Sequence, residues 1–313
     1  MRVIAVLNRD GGTFRTTDMD AFAASAVAAF TARGHTLEVR PTGGGDLIAE
    51  LERAAASAEI LLAGGGDGTI SAAAAIAFRR GVPLAVLPAG TMNLFARSLG
   101  LPLDLNTALE ALADGEVQGV DIATANGRPF VHQFSVGLHP KLVKLRESLP
   151  YRSRIGKMLA SARAGLGAAL RPPSFTVEVT TAHGIDRRRV SGLTISNNPF
   201  DEGHLPLADH LDRGVLGIYL MKPLDFGSAL RLGFGLARGK FSSLPEIIDK
   251  EARQATLRFP RKKAGAKAVI DGELVALADR VDLKIHPGGL QVVVPVPVEP
   301  APAETPAPTT IAA

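Results

Sequence analysis

Two hydrophobic patterns divide the chain near residue 120. Apolar or alternating runs predict strands at residues 3–7, 36–40, 59–63 and 83–87. Segments with helical spacing alternate with them, at residues 18–33, 46–56, 69–80 and 91–99. This alternation predicts an α/β domain whose parallel sheet is covered by helices on both faces.

Beyond residue 120 the pattern changes to short alternating runs bounded by turn residues. One helical region remains, at residues 140–170. Antiparallel strands are predicted at residues 174–180, 188–196, 216–221, 255–259, 267–270 and 280–285, with a further strand at 290–296. We therefore expect an α/β domain at 1–122, rejoined by about 286–296, a β-rich (α+β) domain at 123–285, and a disordered Pro/Ala/Thr-rich tail at 297–313.

The amino-acid composition excludes several classes of protein. Of the 313 residues, 46% are hydrophobic, which is enough to bury a sizeable core, and none is Cys. The absence of Cys excludes a disulfide scaffold, a Cys-ligated metal site and a cysteine nucleophile. The first ten residues hold too few apolar positions for a signal peptide, and no apolar run approaches 18 residues. A soluble cytoplasmic protein is expected.

Charge is distributed unevenly. The whole chain carries a net charge of +4, but residues 141–171 hold eight Lys or Arg and one acid, Glu147. A cationic segment on a nearly neutral protein indicates an anionic partner at one face.

A glycine-rich run follows the predicted strand at 59–63 and opens the next helix: Gly64, Gly65, Gly66, Asp67, Gly68 and Thr69. Glycines at such a junction let the backbone approach a phosphate, and the helix N-terminus offers N–H groups and a positive dipole end. Thr69 can cap the helix or contact a phosphate, and Asp67 can reach a metal or a ribose. A plain tight turn is the alternative, and four glycines around one Asp weigh against it.

Two common phosphate motifs do not fit this run. No Lys-Ser/Thr pair follows the glycines, so it is not a Walker A loop, and the next strand does not end in the acid that a dinucleotide fingerprint requires. That strand is followed instead by a second turn of similar design, with Gly90, Thr91 and Asn93. Two neighbouring helix N-termini at the carboxyl ends of strands suit a polyphosphate.

These motifs together resemble the catalytic domain of the diacylglycerol kinases, and in particular the bacterial soluble lipid kinases that are also similar to sphingosine kinases. The resemblance rests on GGGDGT, PAGTMNLFAR and further stretches in the same order, and it covers about residues 2–296. The further stretches are Asn8 with Gly11 and Gly12, Asp121 with the run at 134–138, the segments at 206–208 and 212–216, and Ile270-Asp271-Gly272-Glu273.

The resemblance implies transfer of the γ-phosphoryl group of ATP to a lipid hydroxyl with Mg²⁺. The glycine run, Gly90 and Thr91 would hold the nucleotide phosphates, with Asn93 and Asn8 as polar supports. Asp271 would be the general base, Glu273 its neighbouring support, and the cleft between the domains the catalytic site. The metal-linked carboxylates implied are Asp67, Asp121 and, as a regulatory ligand, Asp212. Without the family, Asp271-Gly272 is an equally good hairpin turn.

Three positions depart from the family pattern. Arg9 replaces a Pro common in relatives, and Leu94 stands where many have an acid. Arg213 separates Asp212 from Gly214, as if inserted into an Asp-Gly pair. If the missing acid helps to hold Mg²⁺, the metal site is altered, and the same insertion puts Asp212 in question.

The implied partners are ATP, a membrane lipid substrate and an anionic membrane surface, which the protein would contact peripherally at the inner face. The basic region at 141–171 is either an amphipathic helix packed on the core or a docking surface for lipid. Arg261-Lys262-Lys263 is either a solvated turn or a contact for anionic headgroups. A nucleic-acid partner is not expected, because no recognised motif accompanies the basic stretches.

The alternatives are an NAD kinase-like phosphotransferase and a catalytically weak nucleotide- or lipid-binding regulator. The identity of the lipid acceptor and the oligomeric state, including a homodimer, stay open.

Overall fold

The computed structural model describes residues 1–147, 172–201, 207–238 and 243–296. The helices of these residues are α1 (Met19–Thr31), α2 (Leu47–Ala55), α3 (Asp67–Arg80), α4 (Leu94–Ser98), α5 (Leu105–Ala113), α6 (Leu138–Glu147) and α7 (Phe226–Ala237), with a 3₁₀ turn at Gly12–Thr16. The predicted tail, Pro206 and most of the basic region at 141–171 lie outside the described residues.

The larger sheet carries the parallel strands of the first half. Its order is β2-β1-β3-β4-β16-β13-β8-β9, and β5 pairs with both β16 and β6. Its strands are β1 (Arg2–Asn8), β2 (Thr36–Thr42), β3 (Ile60–Gly65), β4 (Leu84–Pro88), β5 (Glu116–Ala125), β6 (Arg128–Phe130), β8 (Phe175–Thr181), β9 (Gly184–Val190), β13 (Gln254–Arg258) and β16 (Arg280–Val294).

Helices cover both faces of the parallel part. α2 contacts α3 on one face, and α1 contacts α5 on the other, as right-handed crossovers in this strand order require. Leu47, Leu51, Ala54 and Ala55 form the buried stripe of α2, at the spacing of an amphipathic helix. Asp18 caps α1 by accepting hydrogen bonds from the backbone N–H groups of Asp20 and Ala21.

The second sheet is antiparallel and has the order β12-β11-β10-β7-β14-β15. Its strands are β7 (Gln133–Gly137), β10 (Gly192–Asn197), β11 (Leu216–Met221), β12 (Ile247–Ala252), β14 (Lys267–Ile270) and β15 (Glu273–Ala276). One hydrophobic core lies against the parallel strands, and a second is shared between the two sheets, with Val179 and Leu257 from one and Ile195 from the other. The predicted α/β half and β-rich second half are therefore confirmed.

Three predicted strands are wrong in their extent. The single strand predicted at 188–196 is two strands in different sheets, because the chain crosses between them at Ser191 and Gly192. The strands predicted at 280–285 and 290–296 are one strand, β16, with an irregularity between His286 and Leu290. The last part of β16 pairs in parallel with β4, through Val292 and Leu84.

Helix boundaries also differ from the predictions. α3 begins at Asp67, and α4 begins only at Leu94 because Asn93 adopts the left-handed conformation. Helices α5 and α7 were not predicted. None of the helices in the described ranges is long and apolar enough to cross a lipid bilayer.

Candidate active site

Three loops meet at the carboxyl ends of β1, β3 and β4. In this strand order the chain leaves β1 toward β2 and leaves β3 toward β4, so a crevice opens between β1 and β3. The backbone N–H of Thr13 donates to the carbonyl of Ala89 (2.8 Å), and that of Ala89 donates to the carbonyl of Gly65 (3.0 Å). The predicted glycine-rich turns are thus brought together at one edge of the sheet.

Close backbone contacts explain why glycine stands at two of these positions. A Cβ at Gly12, whose φ is +55°, would lie 1.6 Å from the carbonyl oxygen of Ala89. A Cβ at Gly90 would lie 2.6 Å from the Cα of Gly66 and 2.8 Å from Oδ1 of Asn93. Two backbone loops therefore touch without intervening side chains, next to the start of α3, and a side chain at Gly12 or Gly90 would push them apart.

Asn8 and Thr69 support this loop from behind. The Asn8 amide donates to Oγ1 of Thr69 (3.1 Å), and Thr69 is buried. Gly65 lies directly over the Thr69 side chain, since a Cβ there would be 2.6 Å from Oγ1. Gly68 faces open space and Thr91 is exposed, so both remain accessible at the front of the loops.

Asp67 joins the first glycine turn to the second. Its Oδ1 accepts from the backbone N–H of Leu94 (2.6 Å) and its Oδ2 from that of Asn93 (3.2 Å), so it caps α4 from a neighbouring loop. Asn93 in turn accepts from the N–H of Gly90 (2.8 Å) and donates to its carbonyl (3.2 Å). The predicted phosphate-binding and metal residues here form one hydrogen-bonded unit.

Asp271 lies in the two-residue turn between β14 and β15. Asp271 and Gly272 have φ values of +44° and +86°, as a type I′ hairpin turn requires, so the hairpin itself is confirmed. The carboxylate accepts the backbone N–H groups of Val131, His132 and Gln133, at 2.9 to 3.0 Å. These donors come from the connection between β6 and β7 and from the first residue of β7, and together they fix the direction of the side chain.

A fourth donor connects Asp271 to the glycine-rich loop. Ser71, on the first turns of α3, donates its hydroxyl to Oδ2 of Asp271 at 2.7 Å. Asp271 is thereby held beside the helix whose N-terminus follows the glycines. Ser71 was not predicted as a site residue, and its only sequence signal is its position two residues after Thr69.

His132 lies near both site carboxylates. Desolvation by burial lowers the pKa of its imidazole, against the opposing attraction of Asp271 and Asp67. The ring packs near Phe200, with centroids 5.9 Å apart. Asp67 and Asp271, which come from different halves of the chain, thus act electrostatically on the same side chain.

The remaining predicted residues lie elsewhere. Glu273 is exposed and pairs with Arg128. Asp121 is buried in β5, where its two oxygens accept the N–H groups of Gly214 (2.6 Å) and Gly288 (2.9 Å). It thereby holds the irregularity of β16.

The predicted metal residues differ in how well their surroundings suit a metal ion. Asp212 is exposed, and the inserted residue Arg213 pairs with Glu251. No cluster of three or more acidic or histidine side chains suited to a metal ion is present in the described part of the chain. Mg²⁺ in phosphoryl-transfer sites commonly uses one or two carboxylates together with substrate phosphates, and Asp67 beside the glycine turns fits that donor set.

Comparisons with known proteins agree with this arrangement. Residues 2–125 match the family model of the diacylglycerol kinase catalytic domain. A diacylglycerol kinase of Staphylococcus epidermidis is 42% identical over 224 residues, which cover 68% of each chain. A probable lipid kinase, YegS-like, of Pseudomonas aeruginosa is 43% identical over 122 residues, covering 38% of this chain and 40% of that protein.

The fold extends further than these sequence matches. A putative diacylglycerol kinase from Bacillus anthracis superposes with a TM-score of 0.73 at 20% identity, covering 94% of this chain and 96% of that one. The sequence matches to three of the curated relatives, the YegS-like protein of Pseudomonas aeruginosa among them, span only 40% to 55% of their lengths.

Proposed function

This chain belongs to the diacylglycerol kinase family, and from that premise we propose that it is an ATP- and Mg²⁺-dependent kinase that phosphorylates the hydroxyl group of a diacylglycerol-like lipid. The observation that carries the proposal is the hydrogen bond between Ser71 and Asp271. It holds a carboxylate from the β-rich half beside the helix that follows the glycine-rich turn. A kinase needs these two elements together, because the acceptor hydroxyl must meet the γ-phosphoryl group.

The glycine turns would bind the nucleotide phosphates. Their backbone N–H groups and the N-terminus of α3 supply fixed positive potential, which stabilises phosphate charge without reorganisation during the reaction. Asn8 and Thr69 keep the turn in place, and Asn93 fixes Gly90. Asp67 is the residue that would hold Mg²⁺, whose chemistry when bound is to neutralise charge on the phosphates.

Asp271 would accept the proton of the lipid hydroxyl as that oxygen attacks the γ-phosphorus and the bond to the β,γ-bridging oxygen breaks. Three backbone donors and Ser71 orient the carboxylate for this role. Glu273 has no proposed part in the proton transfer, since it pairs with Arg128 at the surface. The protein would work at the cytoplasmic face of the membrane, where ATP and lipid meet.

The test is phosphoryl transfer from γ-labelled ATP with Mg²⁺ to a panel of hydroxylated lipids in mixed micelles, with NAD as a separate acceptor. Asp271→Asn is the active-site variant, and Asp20→Asn, an exposed change on α1, is its matched control. We expect a labelled lipid with the wild type and Asp20→Asn, and labelling at least about a hundredfold slower with Asp271→Asn. Label in NAD alone would reassign the chain to a soluble acceptor, and bound ATP without transfer to any acceptor would favour a regulator.

A further inference from the structure

A pocket of about 770 Å³ lies outside the site described above. It is bordered by α6, the ends of β7 and β15, the start of β8 and the loop between β13 and β14. Seven Lys or Arg residues line it, and no Asp or Glu does so among the described residues. The structure thus brings together Lys141 and Lys144 of the basic region and Arg261-Lys262-Lys263. We call this feature the basic pocket.

The floor of the basic pocket is apolar. Val136, Phe259 and Leu277 are buried there, and Phe175 and Leu274 are partly exposed. The rings of Phe175 and Phe259 lie 6.1 Å apart between centroids, at the edge of the core shared by the two sheets. A ligand in this pocket would therefore meet hydrocarbon below and positive charge around it.

Much of the positive charge is not neutralised within the protein. Lys262 donates to the carbonyl of Leu277 (2.8 Å) and pairs with Asp279 (2.9 Å). Lys144, Arg261, Lys263 and Lys267, by contrast, are exposed and have no acidic partner in the described ranges. Such a set of cations around an opening produces a local positive potential that attracts anions.

We propose that the basic pocket binds an anionic phospholipid of the membrane surface, with its phosphate among the lysines and the upper part of an acyl chain on the apolar floor. The inference rests on the proposed function, which requires the protein to reach lipid in a bilayer. The floor favours a lipid over a free phosphate, because a free anion gains nothing from the surfaces of Leu274 and Phe175. A nucleic acid is not favoured, because single strands bind through stacking on accessible aromatic faces along a continuous groove.

The position of the pocket fits this role. Lys267 begins β14, and Asp271 directly follows that strand, so the two are about 13 Å apart along an extended chain. A phospholipid held at the pocket would bring the bilayer surface within one lipid length of the proposed base. The same hairpin would then carry both the membrane contact and the catalytic carboxylate.

The charge arm of the test measures binding of the full chain to phosphatidylcholine vesicles with and without phosphatidylglycerol. We expect binding only when phosphatidylglycerol is present. In Lys144→Gln/Lys263→Gln it should be roughly 30-fold weaker, the equivalent of about 1 kcal/mol per lost basic residue. Arg253→Gln/Arg258→Gln removes the same charge from exposed positions outside the pocket and should bind as the wild type does. Equal losses in both double variants, or equal binding to neutral vesicles, would overturn the proposal.

The lipid arm separates a phospholipid from a bare phosphate. Monomeric dihexanoyl-phosphatidylglycerol should bind the wild type, Leu274→Ser should weaken that binding, and glycerol 3-phosphate should not bind measurably. Equal affinity for dihexanoyl-phosphatidylglycerol and glycerol 3-phosphate would mean that the pocket binds anions without regard to the acyl chains, and would overturn the proposal. Phosphoryl transfer by the wild type to a monomeric short-chain diacylglycerol, which requires no contact with a membrane surface, tests the kinase separately. If transfer is absent in that assay while pocket-dependent binding persists, the proposed function fails and the lipid site stands.

Discussion

Ser71 donates its hydroxyl to Oδ2 of Asp271 at 2.7 Å, although the two residues are 200 positions apart in the chain. Ser71 lies on the helix that follows the glycine-rich turn, and Asp271 lies at the tip of a hairpin in the second sheet. This bond therefore fixes the position of the proposed base relative to the proposed phosphate site. The three backbone donors of Asp271 belong to its own half of the chain. Among the described residues, Ser71 is the one donor to this carboxylate that comes from the other half.

Replacing Ser71 should impair turnover more than nucleotide binding. Ser71→Ala leaves Asp271 with its three backbone donors but removes the one on α3, so we expect kcat to fall roughly tenfold to a hundredfold through misplacement of the base. The KM for ATP should stay near the wild-type value. Asp271→Asn, which removes the proposed base itself, should lower kcat by about 10²- to 10⁴-fold.

Ser71→Thr is the matched variant, because it keeps a hydroxyl at the same place. It should restore most of the turnover that Ser71→Ala loses, as measured by steady-state kinetics over a range of ATP concentrations. Similar turnover in the Ala and Thr variants, or a loss seen only in KM, would contradict a positioning role for the Ser71 hydroxyl.

Gly90→Ala should weaken ATP binding. The new Cβ would lie 2.6 Å from the Cα of Gly66, so the two turns must separate and the N–H groups proposed to bind the phosphates must move. Overpacking of this kind typically costs about 1–3 kcal/mol, which we expect to appear in both nucleotide affinity and unfolding free energy.

Gly45→Ala is the control for that change, since a Cβ at Gly45 has no neighbour within 4 Å. Calorimetric titration with ATP and urea unfolding would separate the two effects. If Gly90→Ala lowers stability but binds ATP as well as Gly45→Ala does, the contact between the turns is structural and does not shape the nucleotide site.

Leu94→Asp should lower the Mg²⁺ concentration needed for half-maximal turnover. Leu94 is the first residue of α4, and its N–H already donates to Asp67. A second carboxylate beside Asp67 would supply an additional oxygen ligand, and oxygen ligands are what Mg²⁺ prefers. Leu94→Asn, which has nearly the same shape without the charge, is the control. An Mg²⁺ dependence that is the same in both variants would show that residue 94 lies outside the metal environment.

The parts of this molecule that follow from local sequence were predictable. Glycine turns between strand and helix, and an Asp-Gly pair between two apolar runs, each leave a short-range pattern, and the structure contains both. The split of the predicted strand at 188–196 left no such pattern, because alternation shows which face of a strand is buried but not to which sheet the strand belongs.

Long-range hydrogen bonds could not be predicted from the sequence for a related reason. Ser71 and His132 lie at the site only because the fold places α3 close to the second sheet. No residue spacing in the sequence predicts that proximity. Asp121 illustrates the reverse case. Its carboxylate was assigned to a metal through the family resemblance, yet in the fold it accepts two backbone N–H groups at the junction of the sheets. Its metal role stays a prediction.

Acidification should destabilise the fold through His132. Burial lowers the pKa of this imidazole below the unfolded value of about 6.5, so below that pH the unfolded chain binds a proton that the folded chain excludes. The contribution of His132 to the free energy of unfolding is fully present above about pH 6.5. It is lost as the pH falls below that value, at up to about 1.4 kcal/mol per pH unit. His286 adds to the same trend, since burial and Lys284 lower its pKa too.

Urea unfolding measured at successive pH values between about 7 and 5 checks the contribution of His132. In His132→Gln the fall in unfolding free energy should be shallower than in the wild type, and in His132→Gln/His286→Gln it should be shallower still. The single variant should also keep its reduced slope in high salt, because desolvation, which salt does not screen, is the main cause of the shift. An unchanged slope in His132→Gln would mean that Asp271 and Asp67 keep the ring protonated in the fold, so that their attraction outweighs its burial.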